Sequence, residues 1–219
     1  MPEPTTLIGI SGAVLTLGIH LARRFFDTAK EVVDVVLGFI ALVLSLPLFG
    51  VCALIIKVSG RGPVFYKQAR VGRAGRPFQM YKLRTMHHDA ESEIGPVWAE
   101  DNDPRVMPAC RWMRRSHVDE LPQLINVIKG EMSLVGPRPE RPEIVVKLEK
   151  VCPEFNKRHM VRPGITGLAQ LRNGYEASVE GARRKLQADL EYIKRRNWST
   201  EIRILASTLT KFVKDEDAR

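Results

Sequence analysis

Between Asp34 and Lys57 the chain runs for 22 residues, VVLGFIALVLSLPLFGVCALII, without a single charge. A helix needs roughly 20 such residues to cross a hydrocarbon core. The run therefore demands a helix that is either in a membrane or enclosed by protein. It lies too far from the N-terminus for an ordinary secretory signal, and no small-residue cleavage pattern follows it. Pro47 near its middle removes a helix hydrogen bond and favours a kink. Ser45 is close enough to help satisfy a freed carbonyl. Arg23, Arg24 and Lys30 precede the run, and Lys57, Arg61, Lys67, Arg70, Arg73 and Arg76 follow it. Positive charge marks the cytoplasmic side, so basic flanks at both ends place both ends there. A helix that enters, bends at Pro47 and returns satisfies this better than a kinked full span or a buried core helix.

The run divides the chain into residues 1–29, a membrane helix at 30–58 and a catalytic-size domain at 59–219. Residues 5–22, with three glycines and His20, are a weaker apolar stretch that either rests on the interface or crosses as a poor span. After Val58 the patterning is that of an α+β, mostly helical domain. Residues 63–68 and 78–86 read as strands, joined by a Gly- and Arg-rich turn into a short β-hairpin. Residues 87–108 read as loop. A helix is predicted from Val118–Leu121 to about Lys129, with Leu121, Leu124, Ile125 and Ile128 as its stripe and Pro122 in its first turn. Residues 142–151 and 180–196 are also helical. Residues 200–214 form a basic amphipathic helix with Ile202, Leu205, Leu209 and Phe212 on one face, suited to an anionic leaflet or to packing on the domain.

The formal charge of +9 points to a polyanionic partner: nucleic acid, an anionic membrane face or a phosphorylated substrate. Cys52, Cys110 and Cys152 are far apart and lack metal-ligand spacing, so they read as reduced thiols.

One stretch, DELPQLINVIKGEMSLVGPRPE, concentrates the chemistry. Asp119 and Glu120 stand side by side at a helix start, where the helix dipole stabilises carboxylates. Ser116 three residues before Asp119 permits a capping box, so capping alone would explain one acid. The second acid makes better sense beside a divalent metal or a cationic cluster. Arg111, Arg114 and Arg115 lie just upstream. Arg138 is fixed between Pro137 and Pro139, which suits bidentate phosphate binding; the alternative is an ion pair with Glu140 or Glu131. Lys82 and Arg84 share one strand face. Arg158, His159 and Arg162 precede a Pro-Gly turn.

GPVFYKQARVGRAGRPFQMYKLRTM, RRSHVDELPQLINVIKGEMSLVGPRPE and RHMVRPGITGLAQ resemble the bacterial sugar transferase family, the monotopic phosphoglycosyl transferases. The likeness covers about Lys30 to Val213. It implies an enzyme with a re-entrant membrane helix, amphipathic interfacial helices and a cytoplasmic α+β domain at a bacterial inner membrane. The implied reaction moves a sugar-1-phosphate from a UDP-sugar to polyprenyl (undecaprenyl) phosphate through a covalent aspartyl-phosphosugar, an early membrane step of glycoconjugate and polysaccharide assembly. By position, Asp119 would be the nucleophile and Glu120 its Mg²⁺-binding partner, with Asp119 adjoining the metal. Arg138 would meet phosphate, helped by Lys82, Arg84, Arg115, Arg158, His159 and Arg162, and Asp189 would lie near the site. Inner-membrane lipid is the further partner, and a homo-oligomer is compatible with the sequence. Departures include Lys30-Glu31, Ser45-Leu46-Pro47, Cys110 and Leu168, and the RNGY loop at 172–175 puts sugar preference in doubt. The rival is a basic membrane-surface scaffold or nucleic-acid-binding protein, which the charge permits but no recognisable nucleic-acid motif supports.

Overall fold

The computed structural model describes residues 4–87, 90, 103–172 and 179–214. Helix α1 (Pro4–Ser59) contains the whole apolar run and stays helical through Pro47. Proline deletes one hydrogen bond, and a long helix can continue on both sides of that loss. Ser45 Oγ bonds the Leu42 carbonyl at 2.8 Å, not that of Val43, the one Pro47 leaves open. Residues 5–22 continue the same helix.

One stripe of α1 faces the rest of the protein. Lys30, Asp34, Gly38, Ser45, Cys52 and Ile56 are buried along it. Gly38 permits close approach, since a Cβ there would lie 3.2 Å from the Val127 side chain. Burying Ile56 completely is worth about 2 kcal/mol by itself. The opposite face leaves Val36, Phe39, Ile40, Val43, Leu44 and Leu54 exposed. A contiguous apolar surface of that kind marks an interaction site.

Strands β1 (Phe65–Val71) and β2 (Pro77–Leu83) form the expected antiparallel hairpin, with Tyr66 opposite Lys82 and Arg70 opposite Phe78. Ala74 takes the left-handed conformation in its turn, as does Gly75. Helix α2 (Arg111–Arg115) leads to a 3₁₀ turn at Val118–Glu120 and then to α3 (Gln123–Ile128). Strand β3 (Ser133–Val135) lies parallel to β4 (Gly164–Thr166). Helices α4 (Pro142–Val151), α5 (Leu168–Arg172), α6 (Val179–Arg195) and α7 (Trp198–Lys214) complete the fold. The boundaries of α4, α6 and α7 fall within two residues of the sequence reading. Most of the 87–108 loop and all but the first residue of the 172–175 loop lie outside the described residues.

The core is built in patches rather than as one centre. Cys52 and Ile56 of α1 meet Leu83, Met107, Cys110 and Met113. Met80 packs on Val127 and Met132, and Val135 on Val161, Tyr192 and Ile204. On α7 the predicted stripe splits. Ile204, outside that stripe, is buried and Leu205 packs partly beside it, whereas Ile202 and Leu209 remain exposed. The side chain of Phe212 is outside the described residues.

Candidate active site

The acidic pair is held by two independent devices. His117 adopts a left-handed backbone (φ 53) immediately before the 3₁₀ turn, a conformation that costs a non-glycine residue energy and that clusters at functional sites. Asn126 then fixes the following helix against the hairpin. Its Oδ1 accepts from the Tyr81 amide at 3.0 Å, and its Nδ2 donates to the Gln79 carbonyl at 2.7 Å. The side chain thus stands in for a neighbouring strand, and the register of β2 against α3 brings Lys82 to Glu120. The anticipated capping box is absent: Ser116 Oγ bonds the Trp112 carbonyl at 2.8 Å, and the acids sit in the 3₁₀ turn ahead of α3.

Glu120 is clamped. Arg138 approaches with Nη1 3.0 Å from Oε2 and Nη2 2.5 Å from Oε1, a bidentate fork. Lys82 Nζ lies 2.7 Å from Oε1. Burial pushes the Glu120 carboxyl up, but Arg138 and Lys82 outweigh it and hold the group well below the usual range. Asp119 differs. It is buried, and among the described residues its carboxylate makes no hydrogen bond or ion pair. Burial, with Glu120 adding to it, raises its pKa to about 6 against the pull of Lys82, Arg114 and Arg138. One acid is spoken for and held in its ionised form; its neighbour is open and titrates near 6. Environments that push two adjacent carboxyls apart in this way separate their roles.

The loop carrying Arg138 has no freedom. Gly136 and Gly164 touch backbone to backbone, so a Cβ on Gly136 would lie 2.5 Å from the Arg162 carbonyl. The Gly136 amide donates to Thr166 O at 2.8 Å and the Gly164 amide to Pro137 O at 2.9 Å. From the other side Arg158 Nη2 reaches the Arg138 carbonyl at 2.8 Å, and Arg70 Nη1 the Pro139 carbonyl at 2.9 Å.

These contacts show where the fold places the expected site residues. Lys82, Asp119, Glu120 and Arg138 converge. Arg84 does not join them: it is buried and donates to the Gly60 and Arg61 carbonyls, tying the end of α1 to β2. Arg115 is exposed, and Arg114 is the α2 arginine that acts on Asp119. Arg158 is buried in an ion pair with Asp189 at 2.7 Å, so both lie in a layer behind the Arg138 loop. His159 lines a cavity of about 10 Å³ with Arg138, Pro139 and Arg158, and burial, with Arg158, lowers its pKa to about 4. Arg162 pairs with Glu31 of α1 at 2.6 Å. Arg138 pairs with Glu120 and Glu140 with Lys185, neither of which was foreseen. His117 and Asn126 were missed, and Arg114 was named only as one of the arginines upstream of the acids. A polar Asn buried among the apolar residues of a short helix was the available signal for Asn126.

A profile of the family described as bacterial sugar transferase matches residues 25–215. The chain belongs to the bacterial sugar transferase family. Among relatives, it is 37% identical over 203 residues to the UDP-N-acetylgalactosamine-undecaprenyl-phosphate N-acetylgalactosaminephosphotransferase of Aeromonas hydrophila, covering 93% of this chain and 48% of that protein. It is 39% identical over 217 residues to the UDP-glucose:undecaprenyl-phosphate glucose-1-phosphate transferase of Caulobacter vibrioides, covering 96% of this chain and 80% of the other. The Escherichia coli K12 protein of that same name is 39% identical over 186 residues, 84% of this chain and 39% of its own length. The chain thus spans about half or less of the Aeromonas and Escherichia relatives and most of the Caulobacter one. Arg138, Lys82 and Arg114 make the surroundings of the acidic pair cationic.

The donor set also bears on a divalent cation. Among the described residues no three His, Cys, Asp or Glu side chains converge. Magnesium is commonly held by one or two carboxylates with the remaining positions filled by substrate phosphates and water. The open Asp119 carboxylate beside Glu120 fits that pattern.

Proposed function

We propose that this protein is a polyprenyl-phosphate sugar-1-phosphate transferase. It acts on a UDP-sugar by a two-step mechanism with Asp119 as nucleophile, at the cytoplasmic face of a bacterial inner membrane. The observation that carries the reading is the asymmetry of the dyad: Glu120 is fixed and ionised by Arg138 and Lys82, while Asp119 is buried, open and titrates near 6. Above that pH Asp119 is an ionised carboxylate in a cationic pocket. In the first step one of its oxygens attacks the sugar-bearing phosphorus. The bond from that phosphorus to the bridging oxygen breaks, and UMP leaves with the electron pair. In the second step an oxygen of polyprenyl phosphate attacks the same phosphorus and the Asp119 carboxylate is released, giving the lipid diphosphate sugar. Arg138 and Lys82 offset charge on the transferring group throughout. Asp119 and Glu120 would hold Mg²⁺, which when bound neutralises diphosphate charge and activates the leaving group.

The membrane reading is that α1 enters and leaves on one side. Support comes from both ends of the apolar run being tied to the same domain. Before the run, Asp27 pairs with Arg196 at 2.7 Å and Glu31 with Arg162 at 2.6 Å. After it, Arg84 holds the Gly60 carbonyl at 2.8 Å. A span that delivered its ends to opposite faces could not satisfy both sets. The exposed face of α1 then meets lipid, and the site is held at the depth where a lipid phosphate emerges.

The test is incubation of the purified protein with UDP-sugars and Mg²⁺ in the absence of lipid acceptor. The expected result is release of at most one equivalent of UMP from one of them and gain of a sugar phosphate on the peptide containing Asp119. Both are lost in Asp119→Asn. A protein that makes lipid product without either signal acts by direct displacement, and one that turns over no UDP-sugar is not this enzyme.

A further inference from the structure

Away from the dyad, a second buried polar cluster lies where α1 meets α7 and β3. Lys30 Nζ is 3.0 Å from Asp34 Oδ2 and 2.8 Å from Glu201 Oε2. Ser133 Oγ lies 2.6 Å from Asp34 Oδ2. The Tyr192 hydroxyl is 2.8 Å from Glu201 Oε1 and 3.0 Å from the Val135 carbonyl. Lys30, Asp34, Ser133 and Glu201 are each less than a tenth exposed. A cation and two carboxylates withdrawn from water are a costly way to attach one helix to a domain. Apolar side chains of similar size would attach it at least as firmly, so a buried ionic cluster is better suited to defining register.

The register it defines leads to the Arg138 loop. Ser133 and Val135, the two β3 residues in the cluster, are followed directly by Gly136, Pro137 and Arg138. That connection has no slack. Gly136 is wedged against the Arg162 carbonyl and the Gly164 amide, and the prolines on either side of Arg138 fix their own φ. A shift of α1 against β3 cannot be absorbed before it reaches the guanidinium that clamps Glu120.

We propose that Lys30, Asp34 and Glu201 form a latch through which docking of the membrane helix on the domain sets the position of Arg138. They are positioning residues and touch no reacting atom. This inference rests on the role given to Arg138 under the proposed function.

The experiment uses the full chain in nanodiscs of phosphatidylethanolamine and phosphatidylglycerol. It compares wild type, Asp34→Ala and the apolar replacement Lys30→Met/Asp34→Leu/Glu201→Met, which guards against a variant that merely fails to fold. Hydrogen–deuterium exchange is expected to rise about tenfold in the 133–140 peptide of both variants. The peptides of α4 and the hairpin should stay at wild-type rates. Unchanged exchange at 133–140, or an equal rise throughout the domain, overturns the proposal. A kinetic arm, with polyprenyl phosphate added to the nanodiscs so that the enzyme turns over, follows UMP release in Asp34→Ala, Arg138→Lys and the double variant. Action through Arg138 predicts a loss of about tenfold in kcat for Asp34→Ala, with KM for the UDP-sugar nearly unchanged, that vanishes in the Arg138→Lys background. Multiplicative losses overturn the proposal. If wild type itself releases no UMP, the proposed function fails, and the exchange arm still decides whether the latch exists.

Discussion

Arg138 meets Glu120 through two parallel contacts, Nη1 to Oε2 at 3.0 Å and Nη2 to Oε1 at 2.5 Å, so the guanidinium plane is set by a carboxylate of the same site. Lysine carries the same charge but not the fork. Arg138→Lys should therefore lose one charge-assisted bond of about 1.5–3 kcal/mol, and turnover should fall roughly tenfold to hundredfold. Steady-state kinetics on a variant with wild-type thermal stability checks this, and unchanged turnover would assign Arg138 to the scaffold.

Asp119 should be a residue whose removal stabilises the protein. Its folded pKa of about 6 exceeds the ordinary value of 3.8, so the folded state binds the proton more tightly than the unfolded state. Stability therefore falls as pH rises from about 4 to 6 and stays lower above that, by about 3 kcal/mol at full ionisation. Asn carries no such term. Asp119→Asn should be more stable than wild type at pH 8 in the presence of chelator, and the gain should shrink towards pH 5. Thermal unfolding at the two pH values measures it. In the same window, UMP release by wild type should fall as pH drops through about 6, because the protonated acid is no nucleophile.

The Arg158–Asp189 pair makes the opposite prediction. Both residues are almost fully buried, and among the described residues Asp189→Ala would leave the Arg158 cation with only the longer carboxylate contact, to Glu140 at 3.9 Å. A loss of about 3–5 kcal/mol is expected. The melting temperature should fall at every pH from 6 to 9, in contrast to the gain at Asp119. A variant that loses turnover while melting like wild type would move Asp189 back into the substrate site.

Membrane topology can be read from labelling. Thr28 and Arg61 flank the apolar run and are exposed. Single cysteines at these positions, in a background lacking Cys52, Cys110 and Cys152, should react from the same side of sealed inverted vesicles. Reaction from opposite sides would replace the re-entrant helix with a full span.

The sequence carried those elements whose cause is local. Local pattern located α4, α6 and α7, and strand-like runs around a Gly- and Arg-rich turn located the hairpin, because each signal lies within a few residues of itself. The Asp119–Glu120 dyad and Arg138 were legible because adjacent acids and a proline-framed arginine are locally odd. The rest depended on distant partners. Nothing near Arg84 in sequence reveals that it will close on the Gly60 carbonyl, and nothing near Arg162 reveals Glu31. Arginines were thus sorted by the fold: Arg84 onto the end of α1, Arg162 onto α1 itself, Arg138 onto Glu120. Pro47 is a mixed case: the helix continues on both sides of the proline and keeps side-chain contacts along both halves, which no local signal foretold.

The clamp on Glu120 also makes the resting pocket its own competitor. Arg138 and Lys82 are paired with a carboxylate that is part of the chain and therefore present at high effective concentration. A small free anion must displace that tethered rival with few contacts of its own, which sets a floor on the affinity needed to enter. A diphosphate ester brings several charges and two further recognition groups, and clears that floor more easily. Under the proposed function, discrimination against the abundant simple phosphates of a cell would then come from an internal decoy.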